Sequence, residues 1–197
     1  MSRYRAICDE VMSSWGRTGH LWAHQAAGID PDIITTAKGL TSGYAPMGAV
    51  VAKKKISDIF NDMQLLYGLT YSAHPLPCAI ANSCMDLYEK NDFELFRNVA
   101  GKAIIVDEFC YDIAETIPFV NEYRSNGLLG CLELDLDDNI LPEVSSDLIH
   151  NGVHNLRIKQ NLMVAPPLTV DEKTIEHACG VIKDTLLGIW HRYNSTT

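Results

Sequence analysis

Two short stretches constrain what this chain can fold into. The first is Ala6-Ile7-Cys8-Asp9-Glu10-Val11, an apolar run ending in two carboxylates, and the second is Ala37-Lys38-Gly39, a lysine between small residues. A short apolar run suits a buried parallel strand, whose acidic end then faces the crevice at the carboxyl edge of the sheet. Between the two lie the turn-rich Trp15-Gly16-Arg17-Thr18-Gly19 and then Gly28-Ile29-Asp30-Pro31-Asp32-Ile33-Ile34. Gly39, Ser42 and Gly43 follow the lysine, so the backbone there can turn sharply or approach a ligand closely. A carboxylate and a lysine meeting at the end of a sheet point to a cofactor that needs both. Taken alone, Asp9 also suits an acid capping a strand end or the magnesium ligand of a Walker B box. That last role needs a GxxxxGK[ST] loop, and the sequence has none. A single lysine is ordinarily a surface cation; the small residues around Lys38 set it apart.

The chain's 197 residues can form one large domain or two small ones. Its 47% hydrophobic and 21% charged residues are ordinary for a soluble globular protein. A formal net charge of −9 and the absence of basic clusters with interleaved aromatics argue against nucleic acid as a partner. Lys53-Lys54-Lys55 is the only basic run and reads as a solvated face. The six cysteines, at 8, 78, 84, 110, 131 and 179, form no CxxC, and several sit in apolar runs. They read as buried free thiols in a reducing compartment. No apolar stretch approaches a membrane span of ~18 residues, no metal-ligand spacing appears, and no signal peptide is visible.

In chain order, 1–11 reads as a strand, 22–27 as a short mixed stretch, 47–52 as a strand and 56–63 as a short helix. A helix from His74-Pro75 to about Lys90 has its proline in the first turn, where the missing N–H costs nothing. A second region begins near Phe93: 93–113 is helix-like, 127–136 is a strand and 139–145 a loop. A short helix at 146–151 is closed by Gly152, and Leu162 to Ala165 is a strand stopped by Pro166-Pro167. The last helix is capped by Thr169 or Asp171 and carries Ile175, Ala178, Ile182, Leu186 and Ile189 on one face. The expected organisation is part of a large α/β domain over 1–92 and a smaller α+β domain over 93–197.

Ile7-Cys8-Asp9-Glu10-Val11, Gly16-Arg17-Thr18-Gly19, Pro31-Asp32-Ile33-Ile34 and Ala37-Lys38-Gly39-Leu40 resemble the signature of class-III aminotransferases, the ω-amino-acid branch of fold-type-I enzymes dependent on pyridoxal phosphate (PLP). Leu69-Thr70-Tyr71-Ser72-Ala73-His74-Pro75-Leu76 and Val164-Ala165-Pro166-Pro167-Leu168 agree in order and spacing. The texture is closest to the taurine- and ω-amino-acid–pyruvate group. The resemblance covers essentially the whole chain but only the second half of family members, which run to roughly twice its length. It therefore implies a carboxy-terminal fragment, an incomplete large PLP-binding domain plus the small domain. The half not covered carries the loop that holds the PLP phosphate and an aromatic residue that stacks on the ring.

The resemblance implies that Lys38 carries PLP covalently and moves a proton once freed, and that Asp9 contacts the pyridine nitrogen. It places Val11 against one ring face, a position a core valine would also fill. Thr70 is implied to bond the PLP phosphate from the neighbouring subunit of a homodimer. His74 is a helix-entry residue, and Arg17 and Arg124 serve structural pairing. Three positions depart from the family: Met12 stands where glutamine often contacts the ring hydroxyl, Ser14 where glycine is usual, and Met163 where many members carry arginine. Arg157 lies a few residues before Met163, where the ω-amino-acid branch places an arginine for the substrate carboxylate. A guanidinium can clamp a carboxylate with two hydrogen bonds, although Arg157 beside Lys159 also suits a solvated strand edge. The implied reaction moves an amino group from an ω-amino acid or amine to a keto acid such as pyruvate, in the cytoplasm or in an organelle. An aminomutase or decarboxylase uses the same scaffold. The competing reading is an inactive fragment acting only as a dimerisation module.

Overall fold

The computed structural model describes residues 5–194, and the chain divides into two compact units, Met1–Arg97 and Asn98–Thr197. The part of the expected first strand at 1–4 lies outside the described residues.

The first unit is built on a three-stranded sheet in the order β1-β2-β3: β1 (Ile7–Asp9), β2 (Ile33–Thr36) and β3 (Ala49–Ala52). β1 and β2 run parallel, with Ile7 opposite Ile33 and Asp9 opposite Thr35, while β3 runs antiparallel to β2. The excursion from β1 to β2 contains a single helical turn, α1 (Ala23–Ala26). Asp32 ties down the entry to β2 by accepting the Ala6 N–H at 3.1 Å and the Lys55 ammonium. After β3, the expected helix at 56–63 starts earlier and ends sooner. It is a four-residue turn, α2 (Lys54–Ser57), passing into a 3-10 turn at Asp58–Asn61. Among the described residues, the buried apolar side chains of this unit are few: Trp15, Pro31, Leu40, Ala81, Cys84, Tyr88 and Phe96.

α3 (Pro75–Thr116) opens on Pro75, with the His74 Nδ1 accepting the Leu76 N–H at 3.2 Å, as suits a helix-entry residue. Its backbone breaks at residues 90–93, where Asn91, Asp92 and Phe93 take left-handed φ values of 51°, 57° and 57°. The break falls where the sequence ends one helical pattern at Lys90 and begins another at Phe93.

The second unit is a four-stranded antiparallel sheet in the order β4-β5-β7-β6, packed with helices. Its strands are β4 (Val120–Asn126), β5 (Leu129–Leu134), β6 (Leu156–Ile158) and β7 (Asn161–Val164). Its core joins Val99, Val106, Cys110 and Ile113 of α3 to Leu132, Leu134, Leu162 and Val164 of the sheet. Leu141, Val144 and Leu148 of α4 (Leu141–His150) and Ile175, Cys179, Ile182, Leu186 and Ile189 of α5 (Glu172–Asn194) complete it. Each such burial contributes about 1.5–3 kcal/mol. Asp171 caps α5 by accepting the Thr174 N–H at 2.8 Å.

One expectation fails in this unit, and one strand was not expected. Residues 139–145 are not a loop: α4 begins at Leu141, with Pro142 in its first turn and three apolar side chains turned inward. β4 had no counterpart in the sequence reading. All six cysteines are free thiols; Cys84, Cys110, Cys131 and Cys179 are buried and Cys8 and Cys78 half-buried. No described helix is long and apolar enough to cross a membrane. Among the described residues, no group of three or more His, Cys, Asp or Glu side chains is placed to hold a metal ion.

Candidate active site

The parallel pairing of β1 and β2 sets the geometry. Asp9 ends β1 opposite Thr35, and Lys38 follows β2 by two residues, so both candidates leave the same edge of the sheet from neighbouring strands. The Asp9 Oδ1 accepts the Thr35 hydroxyl at 3.1 Å and the Val11 N–H at 3.1 Å. The carboxylate is thus oriented by its own strand end and by the neighbouring strand, while remaining exposed. Val11 is half-buried. Lys38 is exposed, pairs with no carboxylate among the described residues, and has a left-handed φ of 46°.

Glu10, the second acid of the pair, does different work. Its side chain turns inward and is 3% exposed. Oε1 accepts the His24 N–H at 2.7 Å and the His24 Nδ1 at 3.0 Å; Oε2 accepts the Ala23 N–H at 2.8 Å and the Ser13 hydroxyl at 2.7 Å. Burial alone raises a carboxyl pKa, but these donors outweigh it and hold Glu10 below its ordinary value. Glu10 therefore fastens α1 to the end of β1, one residue past Asp9.

A second chain of bonds runs beneath the site. The Trp15 Nε1 donates to the Thr36 Oγ1 at 2.8 Å, Thr36 and Ser14 hydroxyls lie 2.9 Å apart, and Ser14 donates to the Glu10 carbonyl at 2.5 Å. Each hydroxyl has one proton, so Thr36 donates to Ser14. Serine at 14 carries no strain, because the left-handed residue is the next one, Trp15, with φ 58°.

The remaining candidates belong to other segments of the chain. Thr70 is exposed in a turn of the first unit. Arg157 belongs to β6 in the second unit, where its Nε donates to the Ser145 Oγ at 3.3 Å and its Nη1 to the Lys159 carbonyl. Arg124 bridges Glu122 and Glu133 and donates to the Asn161 Oδ1 at 2.7 Å, a structural pairing. Burial lowers the pKa of Arg17. Met12 is exposed.

Comparison with known proteins decides the family. Residues 5–186 match the model for aminotransferase class-III. The chain belongs to the class-III aminotransferase family. Among its relatives, the mitochondrial acetylornithine aminotransferase of Eremothecium gossypii is 32% identical over 91% of this chain and 41% of its own length. The omega-aminotransferase of Caulobacter vibrioides is 30% identical over 94% of this chain and 46% of its own. Among solved structures, the taurine:2-oxoglutarate aminotransferase of Bifidobacterium kashiwanohense, in complex with PLP and glutamate, superposes with a TM-score of 0.88 at 32% identity. That match takes in 95% of this chain and 44% of the other. This class-III aminotransferase chain thus has the fold of the fold-type-I transferases and spans less than half the length of these relatives.

Asp9 and Lys38 are candidates named from the sequence; Thr35, Trp15, Thr36, Tyr88 and Glu10, which hold the backbone and carboxylate around them, were not named as such. The adjacent acids Asp9-Glu10 were a usable signal, since alternation along a strand turns neighbours to opposite faces. Thr35 carried none, because its partnership depends on strand register.

Proposed function

We propose that this chain carries the lysine-bearing part of a PLP-dependent aminotransferase that moves an amino group from an ω-amino acid or amine to a keto acid such as pyruvate. The observation that supports it is the parallel register that sends Asp9 and Lys38 off one sheet edge on adjacent strands. The residues fit the cofactor: an exposed lysine without a carboxylate partner among the described residues, and an exposed carboxylate already oriented by two donors.

When bound, PLP supplies an electron sink for the substrate carbon. Asp9 would hold the ring nitrogen in its charged form, with Thr35 and Val11 N–H fixing the carboxylate. Lys38 would hold the cofactor covalently and, once released, carry a proton at its Nζ. Val11 would lie against one ring face. Thr70 would donate to the phosphate from the neighbouring subunit of a homodimer. Arg157 would release its surface bonds to clamp a substrate carboxylate. Free thiols throughout suit a cytoplasmic setting.

The test is to incubate the chain with PLP, reduce with borohydride and map the modified lysine by mass spectrometry, with Lys38→Ala as control. Preferential fixation at Lys38 is the expected result; fixation spread evenly over the lysines sinks the reading. The sparse core of the first unit favours a second reading, in which the chain serves as an interaction module and fixes no cofactor.

A further inference from the structure

The turn that carries Lys38 is an unfavourable one for its residues. Within six positions, Lys38, Ser42 and Gly43 adopt left-handed φ values of 46°, 48° and 81°. For a residue with a Cβ, this conformation persists only where the surroundings over-determine it. Two aromatic side chains do so here. Gly39 lies against Trp15 so closely that a Cβ added to it would stand 2.5 Å from the Trp15 Cβ. From the α3 side, the Tyr88 hydroxyl donates to the Gly39 carbonyl at 2.6 Å. Having given its one proton there, it accepts from the Ser42 hydroxyl at 2.5 Å. Tyr88 thus spans the turn, bonding one residue after Lys38 and again at Ser42. Its ring is buried against Trp15 and Phe96, with centroids 5.8 and 5.3 Å away. Burial raises its phenol pKa, against the opposing Ser42 bond.

We propose that Tyr88, braced by Trp15, is a positioning residue for Lys38: its hydroxyl holds the turn in the left-handed form that fixes where the lysine side chain leaves the backbone. The proposal rests on the reading of Lys38 as the cofactor lysine. Tyr88→Phe keeps the ring and its packing and removes only the two hydroxyl bonds.

The whole chain, unaltered and as Tyr88→Phe, is titrated with PLP, followed by absorbance, then reduced with borohydride. Fixation at Lys38 is measured relative to Lys53, Lys54 and Lys55 in the same molecules. Tyr123→Phe, which removes a partly buried hydroxyl bond to Asp107 in the second unit, is the control for general loosening. The expected result is a fall of about tenfold in the Lys38 ratio and loss of the absorbance in Tyr88→Phe, with Tyr123→Phe within about twofold of the unaltered chain. A general loss of structure would instead raise lysine reactivity everywhere. An unchanged ratio in Tyr88→Phe, or an equal fall in Tyr123→Phe, overturns the positioning role alone. Absence of any preference for Lys38 in the unaltered chain removes the cofactor-lysine reading, and the proposal with it.

Discussion

Thr35 reaches across from β2 and donates its hydroxyl to the Asp9 Oδ1 at 3.1 Å, so the strand that leads to Lys38 also orients the carboxylate beside it. Replacing Thr35 by valine preserves shape and β-branching while deleting that donor. Losing one such bond costs about 1 kcal/mol, so PLP capture at Lys38 is expected to weaken about fivefold. Titration of PLP against both proteins measures it, and equal affinities would show that Asp9 needs no help from β2.

Glu10 makes stability depend on acidity. Its carboxyl lies below the ordinary value of 4.5 because four donors outweigh its burial. A carboxyl lowered on folding stabilises the fold above its unfolded pKa, and that contribution disappears as pH falls through the folded value. The melting temperature should therefore hold steady down to about pH 5 and drop below about 4.5. Glu10→Gln should melt lower at neutral pH and show a shallower acid limb, to which the other lowered carboxyls, Asp30, Asp32, Asp112 and Asp171, also contribute.

Gly16 cannot be substituted cheaply. Its φ is +86°, and a Cβ there would stand 2.1 Å from the Phe96 ring, which is itself buried. Gly16→Ala combines backbone strain with overpacking, together about 2–4 kcal/mol. Urea unfolding should show it; a change under about 0.5 kcal/mol would mean the Phe96 ring moves freely aside.

Arg157→Ala tests a binding role. In an enzyme completed to its relatives' length, KM for an acidic amino donor should rise about tenfold while an uncharged amine is nearly unaffected. The bonds given up, to Ser145 and Lys159, lie at a partly exposed strand and contribute little to stability. Equal slowing of both donors returns Arg157 to a purely structural place.

The first unit presents large apolar side chains to solvent, among them Leu66, Tyr44 and Tyr71, at 89%, 82% and 79% exposure. Surfaces of this kind drive association. Light scattering of the isolated chain should show mass growing with concentration. A monomer that melts cooperatively across the micromolar range would contradict it.

Where the sequence was legible, one residue type had one physical job. Thr169 or Asp171 before an apolar periodic run reads as a cap, a role Asp171 takes, and Asp9 closing an apolar run reads as a strand end. Both readings match the structure. β4 was illegible because a register irregularity between Val120 and Glu122 leaves Val120 and Tyr123 as its buried residues, a spacing of three that looks helical. α4 was hidden by Pro142, which suggests a loop until Leu141, Val144 and Leu148 are seen to share a buried face. Around the lysine, Trp15 and Tyr88 were unreadable for another reason. Their partners lie 21 and 49 positions away, and only the folded backbone brings them together.

The line of bonds from Trp15 through Thr36 and Ser14 to Glu10 has a direction. An indole can only give and a carbonyl can only receive, so the two hydroxyls between them have a single allowed proton order. No rotation of Ser14 or Thr36 can reverse it without stranding a buried donor at one end. The floor beneath β1 and β2 is therefore a row of permanently aligned small dipoles, set at folding and unable to reorient when charge appears above it.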